Sequence, residues 1–119
     1  MNKYEDLKVW KKGMDLVELT YFLASELPSD EKYGLVTQLK RSSVSIPSNI
    51  AEGVGRNSKK EFIRFLSIAN GSTAELETQL LLLNRLNLME ENRTIPLLNL
   101  CKEIRKMNYS LQRSLIKES

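Results

Sequence analysis

Residues 45–62 read Ser45-Ile46-Pro47-Ser48-Asn49-Ile50-Ala51-Glu52-Gly53-Val54-Gly55-Arg56-Asn57-Ser58-Lys59-Lys60-Glu61-Phe62. Ile46 and Ile50 continue a helical apolar spacing that begins at Leu35 and Leu39. Gly53 and Gly55 end that helix. Ser58 and Glu61 have the spacing of a capping box and start the next helix, whose stripe is Phe62, Phe65, Leu66, Ala69, Leu76, Leu80 and Leu83. Pro47 falls inside the first of these two helices. There it removes the hydrogen bond of the Ser43 carbonyl and bends the helix, with the hydroxyls of Ser42, Ser43, Ser45 and Ser48 at hand to solvate the distortion.

Outward from this corner the same spacing recurs. Towards the N-terminus, Leu7, Trp10, Met14, Val17, Tyr21 and Ala24 follow helical steps, with Leu16, Leu19, Leu23 and Leu27 on an adjacent stripe. Pro28-Ser29-Asp30 ends that block. Towards the C-terminus a helix begins near Asn92 or Thr94, with Pro96 in its first turn, and continues through Leu97, Leu100, Ile104, Met107, Leu111 and Leu115. The expected helices span 5–27, 31–55, 58–88 and 93–117. No segment alternates with period two for long enough to form a strand. Long helices joined by short loops pack antiparallel, so the sequence predicts an all-α, up-down-up-down four-helix bundle in one domain, residues 1–119, bent at Pro47.

Composition narrows the chemistry. The chain has 119 residues, no His and one Cys, which excludes within one chain a structural zinc site, a Ser-His-Asp triad and a Cys-His pair. Glu75 and Glu77 point to different sides of one helix, and Glu90 and Glu91 flank a turn, so no carboxylate pair is set for acid–base work. Carboxylates with the spacing of a calcium loop are absent. Catalytic residues, metal, cofactor and small-molecule substrate are therefore all expected to be none. Cys101 beside an apolar stripe is expected to be a small buried side chain. Gly71-Ser72 is expected to permit close helix approach. The acidic N-terminus and the lack of a membrane-length apolar run point to a soluble, cytoplasmic chain without a membrane partner.

Charge is distributed unevenly. Residues 40–64 and 92–119 each carry six basic and two acidic side chains, while 1–31 carry four and seven, and 65–91 one and four. Complementary helices packing side by side would explain this, and so would a basic face for a polyanion. The candidate nucleic-acid contacts are Lys40, Arg41, Arg56, Lys59, Lys60, Arg64, Lys102, Arg105, Lys106 and Arg113. Arg56, Lys59 and Lys60 lie beside a helix N-terminus, where free amides attract anions. Asn49, Glu52, Arg56 and Glu61 form an expected structural polar cluster at the same corner. The scattered aromatics, 7% of the chain, offer no expected stacking platform.

Apolar residues are in surplus. Leu80-Leu81-Leu82-Leu83, with Leu86 and Leu88, cover every side of one helix, whereas a bundle buries only one stripe. Self-association would cover the remainder, with Leu16, Leu23, Leu81 and Leu82 as the expected interface.

The run Ser45 to Gly53, with Gly55-Arg56, Glu61-Phe62, Phe65-Leu66, Ala69, Gly71-Ser72 and Glu75-Leu76-Glu77, joins Tyr4-Glu5-Asp6-Leu7, Trp10, Gly34-Leu35 and Gln38-Leu39. Over residues 4–90 this resembles the bacterial four-helix-bundle family first noticed as open reading frames in intervening sequences of large-subunit ribosomal RNA, some of whose members carry ribosomal-protein names. The resemblance implies a bundle assembling into a ring-like homopentamer with no established enzymatic activity. Related bundle proteins that accompany diversity-generating reverse transcriptases are basic pentamers that bind nucleic acid and the transcriptase. The expectation is thus a non-enzymatic oligomeric module with RNA or a nucleic-acid–protein complex as partner; the alternative is a protein-interaction scaffold that binds no nucleic acid.

Overall fold

In the computed structural model, which describes residues 3–118, four helices carry the chain: α1 (Lys8–Ala24), α2 (Leu35–Gly55), α3 (Lys59–Arg85) and α4 (Glu91–Lys117). Short 3-10 turns at Tyr4–Asp6 and Ser29–Glu31 precede α1 and α2. The second helix therefore starts at Leu35 and not at residue 31, because the acidic segment after Pro28 is spent on the 3-10 turn. The fourth starts at Glu91, ahead of the expected Asn92 or Thr94, which puts Pro96 in its second turn.

Cross-helix contacts fix the direction of every pair. Ser42 meets Gln79 and Ser45 meets Ser72, so numbering rises on α2 as it falls on α3. Asn84 with Thr94, Glu77 with Arg105 and Asn70 with Asn108 give the same sense for α3 and α4. Glu26 with Arg93 and Lys12 with Glu103 do so for α1 and α4. Tyr21 over Lys40, and Gly13 against Pro47, do so for α1 and α2. The result is an up-down-up-down four-helix bundle, 47 Å long and about 20 Å across.

The face α1 turns inward is Val9, Gly13, Leu16, Thr20 and Leu23, in alternating steps of four and three, with Ala24 beside it and Leu27 buried just past its end. Leu16 and Leu23, expected at an oligomer interface, are thus core residues, 0% and 2% exposed. Met14 and Tyr21, expected inside, are each 42% exposed. Gly13 decides between the two stripes. A Cβ there would lie 3.3 Å from Cβ of the buried Pro47, so this glycine lets α1 close onto α2 where α2 carries its proline. Thr20 is buried at no polar penalty, since its Oγ1 donates to the Leu16 carbonyl at 2.7 Å.

The corner between α2 and α3 also departs from the sequence reading. Gly53 and Gly55 are both helical, and the residue that takes left-handed geometry is Asn57, at φ 55°. Gly53 is buried because a Cβ there would meet Phe65 Cβ at 2.8 Å and Phe62 Cδ1 at 3.0 Å. Ser58 Oγ accepts the Glu61 N–H at 3.2 Å, as a cap should. Glu61 does not complete the box, because its carboxylate turns to Arg64. Gly71 brings no helices together: a Cβ built on it meets nothing within 4 Å.

Candidate functional site

Antiparallel packing sorts the ten candidate cations by what surrounds them. At the α2–α3 corner, Arg56 pairs with Glu52 at 2.8 Å and Arg64 with Glu61 at 3.0 Å. Both guanidinium groups cover the Phe65 ring, at 5.0 and 4.6 Å from its centroid. The hydrogen bond from Arg64, more than the surrounding positive charge, holds the Glu61 carboxyl below its ordinary range. Asn49 stands apart from this group: its amide donates to Ser45 O and Ser45 Oγ, both at 2.8 Å. The expected cluster is therefore Glu52, Arg56, Glu61 and Arg64 around Phe65, without Asn49.

Lys59 reaches across to Glu118 at 3.8 Å, and Lys40 lies 4.9 Å from the centroid of the Tyr21 ring. Arg105 is gripped by Glu77, Nε to Oε1 at 3.0 Å and Nη2 to Oε2 at 3.1 Å. These cations are committed to the fold. Arg41 borders a polar dent with Gln38, Ser42, Ser45 and Glu75. Lys60, Lys102, Lys106 and Arg113 are exposed, and the ion pairs of the described residues include none of them.

Three of those four share one face. Lys102, Lys106 and Arg113 recur at steps of four and seven along α4, with Tyr109 between the last two. The row spans about 16 Å at about 1.5 Å per residue. Tyr109 is 51% exposed, an aromatic among free cations that sequence reading passed over. Its signal was present in the spacing 102, 106, 109, 113, hidden because the aromatics were weighed as a scatter and not by helical face.

Charge is also polarised along the long axis. The half containing residues 3–15, 46–71 and 106–118 carries eleven basic and six acidic side chains; the other half carries seven and nine. At the acidic end Arg93 clamps Glu26, and its hydrogen bond lowers that carboxyl's pKa.

Leu81 and Leu82 remain 52% and 39% exposed, as the surplus of leucines predicts, beside buried Leu80 and Leu83. Among the described residues no three His, Cys, Asp or Glu side chains gather as a metal site, and no helix is long and apolar enough to cross a membrane. Burial pushes the Cys101 thiol up to about 12. It should resist thiol reagents at pH 8 in the folded chain and react on unfolding. Because the unfolded thiol ionises near 9, its contribution to stability is full below that pH and declines as pH rises from 9 towards 12. Thiol titration with and without denaturant checks the first point.

A family model described as 23S rRNA-intervening sequence protein matches residues 5–110. Among solved structures, the chain is similar to a protein of unknown function from the S23 ribosomal protein family of Bacteroides thetaiotaomicron VPI-5482, a crystal structure at 1.70 Å resolution. The two share 28% sequence identity and superpose with a TM-score of 0.81, over 87% of this chain and 97% of that one. No curated protein matches the chain.

Proposed function

Because the chain belongs to the 23S rRNA-intervening sequence protein family, we propose that it is a non-enzymatic, self-associating helical bundle that binds RNA through the outer face of α4. The observation that carries this reading is the row Lys102, Lys106 and Arg113 around Tyr109, exposed and outside the ion pairs. Cations held by carboxylates have little left for a phosphate, whereas free ones release counterions when they meet it. A buried lone thiol suits a reducing cytoplasm, where we place the protein.

Binding of this kind must weaken steeply with salt. A labelled single-stranded RNA titrated at 50 and 200 mM salt should lose about twentyfold in affinity for some three phosphate contacts. Absence of binding at 50 mM would remove RNA from the reading. The scaffold alternative would then stand, supported by the interhelical pairs Lys12–Glu103, Glu26–Arg93 and Glu77–Arg105, in which basic and acidic segments satisfy each other.

Self-association rests on the half-exposed leucines at the C-terminal end of α3, Leu81, Leu82 and Leu86. The number five comes from the family resemblance. Leu82→Glu should leave the fold intact, since the side chain is 39% exposed, and should convert the assembly to a species near 13.7 kDa. Light scattering coupled to size exclusion reads this directly. A wild-type mass near 13.7 kDa at tens of micromolar would sink the proposal.

A further inference from the structure

Between α3 and α4, next to the free cations, lies a groove of about 280 Å³ lined by Ser67, Asn70, Gly71, Ala74, Arg105 and Tyr109. That is close to the lower limit of small-molecule clefts, about 300 Å³, room for one ring system. Asn70 is 8% exposed, and its Oδ1 accepts from Asn108 Nδ2 at 2.9 Å. Its own Nδ2 is buried without a hydrogen-bond partner, as is Asn108 Oδ1 of the same pair. Buried donors are rarely left so, because a missing acceptor is costly. Half-exposed Tyr109 lines the same groove, and Gly71 leaves open the space a side chain would fill.

We infer that this groove takes one unpaired base of a single-stranded RNA, stacked against Tyr109, with the buried Asn70 amide turning outward to donate its Nδ2–H to an acceptor atom of the base. The inference rests on the RNA reading above and adds the part of the strand that is read. The occupant is a base and not a phosphate because Glu77 already neutralises Arg105 and would repel an anion. Neutral acceptors suffer no such repulsion. Asn70 and Arg105 both line the groove, so its polar side chains are rich in donors. Guanine, whose O6 and N7 are neighbouring acceptors, fits this lining best.

Gly71 separates binding from folding. Its site is exposed and helical with nothing within 4 Å of a Cβ, so Gly71→Leu fills the groove without a clash at Cβ. The probes are a labelled uridine dodecamer and the same strand with two central guanines, read by fluorescence anisotropy at 50 mM salt. Wild type should prefer the guanine strand by about fivefold to tenfold, the lower end of the discrimination that base-edge hydrogen bonds give. Gly71→Leu should melt no lower than wild type and lose that preference. Tyr109→Ala should weaken binding of the guanine strand by about tenfold, with the salt slope unchanged because the phosphate contacts remain. If both variants bind and discriminate as wild type does, the groove is not a base site, and the RNA reading survives. If wild type binds neither strand, the RNA reading fails and takes this inference with it.

Discussion

Gly53→Leu should destabilise the bundle by about 3 kcal/mol or more, while Gly55→Ala, two residues along the same helix, should stabilise it by about 0.5–1 kcal/mol. The opposite signs follow from what a side chain would meet. At Gly53 even a Cβ lies 2.8 Å from Phe65 Cβ and 3.0 Å from Phe62 Cδ1, and Phe65 is itself pinned under Arg56 and Arg64. Neither ring can swing aside without opening the α2–α3 contact, so a leucine must push the helices apart. At Gly55 nothing lies within 4 Å, and alanine only removes chain entropy from the unfolded state. The expected loss at Gly53 is a large share of a typical domain stability of about 5–15 kcal/mol. Denaturant midpoints of the two variants and wild type test the pair together. A Gly53→Leu midpoint equal to wild type would mean that the corner yields, contrary to its packing.

Glycines also mark where sequence reading succeeds and where it stops. Four helices, their order and their antiparallel sense are legible because apolar residues recur at helical steps and the connections are short. The inner face of α1 is not legible, because two of the helix's six buried positions, Gly13 and Thr20, are not apolar. A count of apolar residues prefers Met14 and Tyr21, which face outward. Gly13 earns its place only through Pro47, some 34 positions away in sequence, and no local pattern carries that. Gly53 and Gly55 likewise read as helix stops, yet both continue α2 and leave the left-handed position to Asn57. Composition gives the candidate cations but not their partners. Glu52 with Arg56, four apart, could be foreseen, whereas Glu77 with Arg105 and Glu118 with Lys59 exist only once α3 and α4 are antiparallel.

Replacing Lys102, Lys106 and Arg113 together by Glu should abolish RNA binding at physiological salt and weaken it by more than about 100-fold at 50 mM. The change moves the formal charge of each chain from +3 to −3, and it does so on a helical face where three cations stand outside the ion pairs of the described residues. Single strands lose about 0.7 in log–log salt slope per phosphate contact removed, so the slope should fall by about 2. The fold should hardly notice. All three side chains are exposed, and surface substitutions of this kind stay within about 0.5 kcal/mol each. A second triple variant, Arg56→Gln with Arg64→Gln and Arg105→Gln, gives the contrast. Those guanidinium groups are bound to Glu52, Glu61 and Glu77. Their loss should lower the melting temperature, because it uncovers Phe65 and leaves the partly buried Glu77 unpaired. RNA affinity should change less than for the α4 variant, since these cations offer phosphate little free charge. If instead the α4 variant binds RNA with an unchanged slope, the contacts lie elsewhere, with Lys60 and Arg41 the next cations to test. The number of phosphates met by α4 is then zero, and the stripe is only a solvated face.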